Sequence, residues 1–91
     1  MFNLIEEKDK YLTACKSLKG LSNLTLKAYQ IDLKQFCDFM RGRDCFDKNE
    51  INSYINMLHS LYKPKSAKRK IACIKAFYRY MEIEDIIAFN P

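Results

Sequence analysis

Apolar residues recur every three or four positions along most of the chain, and this spacing predicts an all-α fold. We expect four main helices over about residues 3–19, 22–41, 48–61 and 65 or 66 to 82, and a short C-terminal helix over about residues 84–89. The positions expected to face the core are Leu4, Tyr11, Ala14, Cys15 and Leu18, then Thr25, Leu26, Tyr29, Leu33, Phe36, Cys37 and Met40, then Ile51, Tyr54, Ile55, Leu58 and Leu61, then Ala67, Ile71, Ile74, Phe77, Tyr78 and Met81.

The residues between these stretches are typical of helix ends. Gly20 and Gly42 are expected to end the first two helices, Ser22 and Asp47 to cap the second and third, and Pro64 to break the chain before the fourth. Two glycines and two prolines are too few for the turns of a β-sandwich or barrel. With 91 residues, the chain is expected to form a single domain, a bundle of four main helices plus the short last one.

Cysteine and histidine spacing gives no sign of a metal or cofactor site. The four cysteines contain no C-x-x-C pair, and His59 is the only histidine. Cys37 and Cys73 lie on apolar helix faces, where reduced cysteine packs as a small hydrophobic residue. With no apolar run of roughly 18 residues and an acidic N-terminal stretch, no membrane association is expected. We therefore expect a cytoplasmic protein without cofactors.

The formal net charge of +5 is concentrated in the fourth helix and the residues before it. Residues 63–80 contain seven of the 16 basic residues and no acidic residue. The rest of the chain contains the other nine bases and all eleven acids, so the positive excess lies within residues 63–80. Five of the seven bases fall off the apolar stripe and are expected to project into solvent without internal counter-charges: Lys65, Lys68, Arg69, Lys75 and Arg79.

A cationic helix face of this kind favours a polyanionic partner. The second helix adds Lys27, Gln30 and Lys34 on one side, with Asp32 as the only nearby acid. A membrane surface is disfavoured because the apolar stripe is committed to the core, whereas an α-helix with Lys, Arg, Ser and Gln fits the major groove of duplex DNA. The alternative is that the charged run is simply a solvated face.

Two stretches carry a resemblance to a known family. Residues 21–33 (LSNLTLKAYQIDL), followed by Phe36 and Phe39, resemble the SxxTxxxYxxDLxxF helix of the SAM-like core-binding domain in tyrosine recombinases and phage integrases. Residues 65–81 (KSAKRKIACIKAFYRYM) resemble the later basic helix of that domain, and Asn90-Pro91 resembles its exit towards the catalytic domain.

The resemblance implies binding to double-stranded DNA, with the second and fourth helices towards the major groove, for DNA integration or recombination. The implied DNA contacts are Thr25, Lys27, Gln30, Lys34, Lys65, Ser66, Lys68, Arg69 and Lys75. Among these, Arg69 is the best candidate for a guanine contact, while Thr25 is equally suited to capping its helix. Other recombinase protomers are expected to contact the first and last helices, through Ile83, Ile86, Ile87 or Phe89.

Catalysis is expected elsewhere in the parent recombinase. A separate C-terminal domain supplies the tyrosine nucleophile in the family, and this chain contains no His-x-x-Arg pair. No nucleophile, base or metal constellation indicates a small-molecule substrate. A protein-interaction domain that binds an acidic partner remains the alternative function, because a small helical bundle does not by itself decide function.

Overall fold

Four α-helices account for most of residues 2–88, the part of the chain that the computed structural model describes. They are α1 (Leu4–Ser17), α2 (Asn23–Phe39), α3 (Lys48–Leu61) and α4 (Pro64–Ile83), and no strand occurs within those residues. The prediction of an all-α bundle with four main helices is therefore confirmed.

The helix starts follow local capping chemistry. The side chain of Ser22 accepts a hydrogen bond from the Thr25 amide at 3.3 Å, and Asp47 accepts one from the Asn49 amide at 2.8 Å, as caps of α2 and α3. Pro64 is the first residue of α4, so this helix begins one or two residues before the predicted start at Lys65 or Ser66. Proline suits that position because its missing N–H would have no helical partner there.

Helix α4 lies at the centre of the bundle and packs against each of the other three. The aromatic part of the core joins α2, α3 and α4: the Phe36 ring lies 5.3 Å from that of Tyr54 and 5.8 Å from that of Tyr78, both edge-on. Leu33 and Phe77 are fully buried beside this cluster. The apolar spacing of α2 and α4 therefore predicted the core well.

Two residues predicted to face the core are instead exposed, namely Leu18 and Leu61. Leu18 is the residue after α1, and Leu61 is the last residue of α3. Both continue the apolar period of their helix, but the helix ends there and no neighbouring element covers them. The apolar spacing within a helix does not show how far along that helix the neighbouring helices extend.

The chain turns after α4, and the predicted helix from residue 84 is absent over residues 84–88. Asp85 adopts a left-handed backbone with φ of 57°, and the Ile86 amide donates to the Met81 carbonyl at 2.8 Å. This is a Schellman-type ending, which folds Ile87 back into the core. The prediction that Ile87 is exposed for protomer contacts is therefore wrong, whereas Ile83 is exposed. Phe89, Asn90 and Pro91 lie outside the described residues.

Candidate nucleic-acid interface

A buried ion pair joins α2 to α4 beside the predicted DNA-contact residues. The Lys70 Nζ atom donates to Asp32 Oδ1 at 2.8 Å, and both side chains are buried. Two charges removed from water need each other, since a buried charge without a partner is strongly destabilising. Separating α2 from α4 would therefore leave both charges without a partner.

Gln35 and Tyr62 complete the environment of the buried lysine. Lys70 Nζ also donates to Gln35 Oε1 at 2.7 Å, and Gln35 Nε2 donates to the Tyr62 hydroxyl at 2.8 Å. The Lys70 ammonium lies 4.8 Å from the centre of the Tyr62 ring, a cation–π distance. The network links α2, α4 and the connection between α3 and α4.

Sequence reasoning missed Asp32, Gln35 and Lys70. Asp32 was expected on an exposed face, yet it precedes the buried Leu33 and continues the inward side of α2. Lys70 lies between Ala67 and Ile74 at spacings of three and four, which is the core stripe of α4. That spacing is the signal that could have found the lysine, although not its partner.

Arg69 lies at the edge of this network and reaches the surface. Its Nη2 atom donates to the same Asp32 Oδ1 at 3.1 Å, while 53% of its side chain is exposed. The expectation that the α4 bases have no internal counter-charge is therefore wrong for Arg69. Counting charges by segment could not find a partner 37 positions away in the chain.

The exposed bases of α4 divide between two sides of the helix. We call Lys65, Ser66 and Arg69 the α2-side face, because Arg69 contacts Asp32 of α2 and Lys65 lies one turn before it. Lys68, Lys75 and Arg79 form the α3-side face, because they line grooves shared with α3. Lys70 is buried, and the exposed bases of α4 spread around the helix from its α2 side to its α3 side.

The predicted contacts on α2 lie away from α4. Lys27, Gln30 and Lys34 are exposed, but they are between two and five residues from Asp32 in sequence. At 3.6 residues per turn, that separation places them about 140° to 200° around the helix from its contact with α4. Lys34 also pairs with Asp38 at 3.1 Å, so the expectation that Asp32 is the only acid near these residues is wrong.

The two predicted hydroxyl contacts lie in the first turns of their helices. Thr25 is half-buried, and its Oγ1 lies 3.0 Å from the Ser22 hydroxyl. Thr25 was expected either to contact DNA or to cap its helix. The capping residue of α2 is Ser22 and not Thr25. Ser66 is half-buried near the start of α4. Within residues 2–88, Lys63 before that helix makes no side-chain capping hydrogen bond.

A groove of about 550 Å³ runs between α3 and α4 on the other side of the molecule. Its floor includes Ile51, Ile55 and Ile71, and its rim includes Lys48, Lys75 and Arg79. This groove combines an apolar floor with a cationic rim, and it is separate from the Asp32–Lys70 pair.

The described part of the chain holds neither a candidate metal site nor a candidate membrane span. Among residues 2–88, no three His, Cys, Asp or Glu side chains come together in a way that could hold a metal ion. None of the helices in that part of the chain has the length and apolar character needed to cross a membrane.

Comparison with known proteins identifies the family. Residues 9–85 match the model of the phage integrase N-terminal SAM-like domain. The chain belongs to this family. All residues of the Asp32–Lys70 network and all predicted DNA contacts lie within the matched part of the SAM-like domain.

Curated relatives of this SAM-like domain are tyrosine recombinases. A tyrosine recombinase from Agathobacter rectalis is 44% identical over 93 residues, which cover 100% of this chain and 30% of that protein. Tyrosine recombinases XerC from Staphylococcus aureus (strain USA300) and Roseiflexus castenholzii are 33% and 26% identical, covering 92% and 94% of this chain and 30% and 29% of those proteins. No solved structure matches the chain significantly.

The chain thus spans about 30% of the length of the curated relatives it matches. It corresponds to the N-terminal SAM-like domain of this family and not to the catalytic part, as the sequence predicted.

Proposed function

We propose that this SAM-like domain binds double-stranded DNA as part of a tyrosine recombinase, with α2 and α4 turned towards the duplex. The observation that carries the proposal is the position of Arg69, which Asp32 holds at the surface between the two helices. A guanidinium has five N–H donors, and one nitrogen is engaged by Asp32. Its remaining donors are available to a guanine edge or a phosphate.

Charge around Arg69 supports the proposal. The single negative charge of Asp32 faces two positive charges, those of Arg69 and Lys70, so the cluster has a net charge of about +1. Lys63 and Lys65 add to it, and the first turn of α4 contains no acid. The free amides at the start of α4, with the positive end of its dipole, favour a phosphate there.

We propose that the α2-side face makes the direct contacts and that the other predicted residues flank it. Lys65, Ser66 and Arg69 would touch phosphate or base edges, with Thr25 beside them. The flanking residues, which would act on the phosphate backbone, are Lys27, Gln30, Lys34, Lys68 and Lys75.

The whole recombinase would divide its tasks between domains. In this SAM-like domain Tyr54 and Tyr78 are buried in the core, which does not suit a nucleophile. We propose that a separate catalytic domain carries out strand exchange in the cytoplasm, without a cofactor or small-molecule substrate bound to this domain. The exposed Ile5 and Ile83 would support contacts between neighbouring protomers on DNA through α1 and the end of α4.

Fluorescence anisotropy with a labelled mixed-sequence duplex tests DNA binding. We expect a Kd of roughly 10⁻⁴ to 10⁻⁶ M at physiological salt, weakening as salt is raised. Lys65→Gln should reduce the slope of log affinity against log salt by about one. Lys16→Gln, which removes an exposed lysine from α1, is the matched control and should leave the slope unchanged. Absence of duplex binding even at low salt would remove the proposal.

The groove between α3 and α4 favours a second candidate function, the docking of an acidic amphipathic segment of another protein. Its isoleucine floor suits the apolar side of such a segment, and Lys48, Lys75 and Arg79 suit the acidic side. Chemical-shift mapping separates the candidates. Duplex DNA should perturb residues around Arg69, whereas an acidic helical peptide should perturb Ile51 and Ile71 and lose affinity in Lys75→Glu.

A further inference from the structure

A row of apolar residues runs along the exposed side of α2 next to α4. Leu24, Ala28 and Ile31 are spaced by four and three residues, and the polar Gln35 follows four residues later, so all four lie along one side of the helix. Gln35 fixes the location of this stripe, because its side chain bonds Lys70 of α4 and Tyr62. The α2 surface beside Arg69 is therefore apolar, whereas Lys27 and Lys34 lie further around the helix.

The first and third members of this stripe are unusually accessible for apolar residues. Leu24 is 83% exposed and Ile31 is 51% exposed, while Ala28 between them is half-buried. Ile31 precedes Asp32 in the chain, and Ala28 lies one turn before it, so both lie close to the residue that holds Arg69. We call Leu24, Ala28 and Ile31 the apolar stripe.

The surroundings of the apolar stripe suit a polyanion. The first turns of α2 and α4 contain no acidic residue, and Lys27 and Arg69 flank the stripe on its two sides. A partner that is anionic at its margins and apolar in patches between them matches this arrangement. The major groove of duplex DNA has that character, since phosphates line its edges and the 5-methyl groups of thymine project into it.

Resting on the DNA binding proposed above, we propose that the apolar stripe reads thymine methyl groups in the major groove. Leu24 and Ile31 make van der Waals contact with the 5-methyl groups, and Ala28 lets the helix approach the base edges closely. The domain then prefers sites in which thymines lie under α2 beside the base pair that Arg69 contacts. Selectivity of this kind needs no hydrogen bond from α2 to a base.

Replacing thymine by deoxyuridine tests this inference, because the two bases differ only in the 5-methyl group. A preferred duplex is first selected from a randomised library with the purified chain, and each thymine in it is then replaced singly by deoxyuridine. At contacted positions we expect binding to weaken about fourfold per methyl, which corresponds to ~0.8 kcal/mol for one buried apolar carbon. Replacement at the remaining thymines should have no effect.

Matched variants assign the effect to the apolar stripe. Leu24→Ala and Ile31→Ala should each lose the preference for thymine over deoxyuridine at the position that the replaced side chain contacts, and keep it at the other. Leu18 and Ile5 in or next to α1 are 84% and 50% exposed, so Leu18→Ala and Ile5→Ala remove the same groups at the same exposure elsewhere. These two controls should keep the fourfold preference. Thermal unfolding followed by circular dichroism verifies that all four variants are folded.

The outcomes distinguish this inference from the function on which it rests. Salt-dependent duplex binding without a selected sequence, or without any deoxyuridine effect, would overturn the methyl contact and leave DNA binding intact. The same holds if Leu24→Ala changes self-association of the chain but not its preference for thymine, which would make the stripe a protein contact. Failure to bind any duplex would instead overturn the proposed function itself.

Discussion

The ammonium of Lys70 lies 2.8 Å from the carboxylate of Asp32, and this buried pair connects the two helices that carry the proposed DNA contacts. Arg69 bonds the same carboxylate oxygen. Asp32 therefore both pairs with the buried Lys70 and orients Arg69, the proposed base contact. Stability and the proposed DNA recognition would therefore be coupled at Asp32, and variants of the neighbouring residues separate the two properties.

Asp32→Asn is expected to destabilise the domain strongly. It leaves the positive charge of Lys70 buried without its counter-charge, and removing one partner of a buried pair typically costs about 3–5 kcal/mol. The free energy of unfolding from urea titration measures the loss. Combining Asp32→Leu with Lys70→Met should cost less than either single change, since an apolar pair leaves no buried charge. A small effect of Asp32→Asn would contradict the importance of the pair.

Arg69→Ala is expected to weaken DNA binding more than stability, whereas Lys70→Ala is expected to lower stability, although the two residues are adjacent. The Arg69 pair is partly exposed, so its loss should change the free energy of unfolding by no more than about 1 kcal/mol. DNA affinity should fall about tenfold, within the range of a good base contact. Lys70→Ala should instead cost about 3–5 kcal/mol of stability because Asp32 stays buried. Urea titration and anisotropy on both variants provide the comparison.

Tyr78→Phe is expected to destabilise the core, because the Tyr78 hydroxyl donates a buried hydrogen bond to the Cys45 carbonyl at 2.6 Å. Leaving that carbonyl without a donor should cost about 1–3 kcal/mol. Tyr54→Phe is the matched control, since the buried Tyr54 hydroxyl has no hydrogen-bond partner among residues 2–88. Equal losses of unfolding free energy in the two variants would contradict this difference.

Stability is expected to fall at alkaline pH because of buried thiols. Burial raises the pKa of Cys73 from 9.0 to about 12 and that of Cys37 from 9.0 to about 11. Below pH 9 both thiols are protonated in the folded and unfolded chains, so stability is fully present. As pH rises from 9 towards 11 or 12, only the unfolded chain loses these protons, and unfolding becomes easier.

The expected slope is up to about 1.4 kcal/mol per pH unit for each thiol. Urea titrations between about pH 8 and 11 measure it, within the window that these pKa values define. Cys73→Ala and Cys37→Ala should each flatten the slope, whatever their effect on stability at neutral pH. A stability that rises across this window would show that the thiols are not held protonated in the folded chain.

Helix starts were the part of the fold that could be predicted most reliably. Ser22 and Asp47 cap their helices through contacts with amides two or three residues away, so the relevant chemistry is contained in a few neighbouring residues. The residues after α4 show the limit of such reasoning. A helical pattern continues past Ile83, but the Asp85 turn brings Ile87 into a core formed by distant helices.

The amino-acid sequence by itself determined the helical class, the approximate bounds of four helices, most of the core and the position of the basic run. Each of these follows from spacing or from neighbours within one or two helical turns. Only the tertiary structure decided which bases are buried, paired or exposed, and which side of α2 lies beside Arg69. Those properties depend on contacts of Asp32 with Arg69 and Lys70, which are 37 and 38 positions away in the chain. The spacing of residues within one helix carries no information about such contacts.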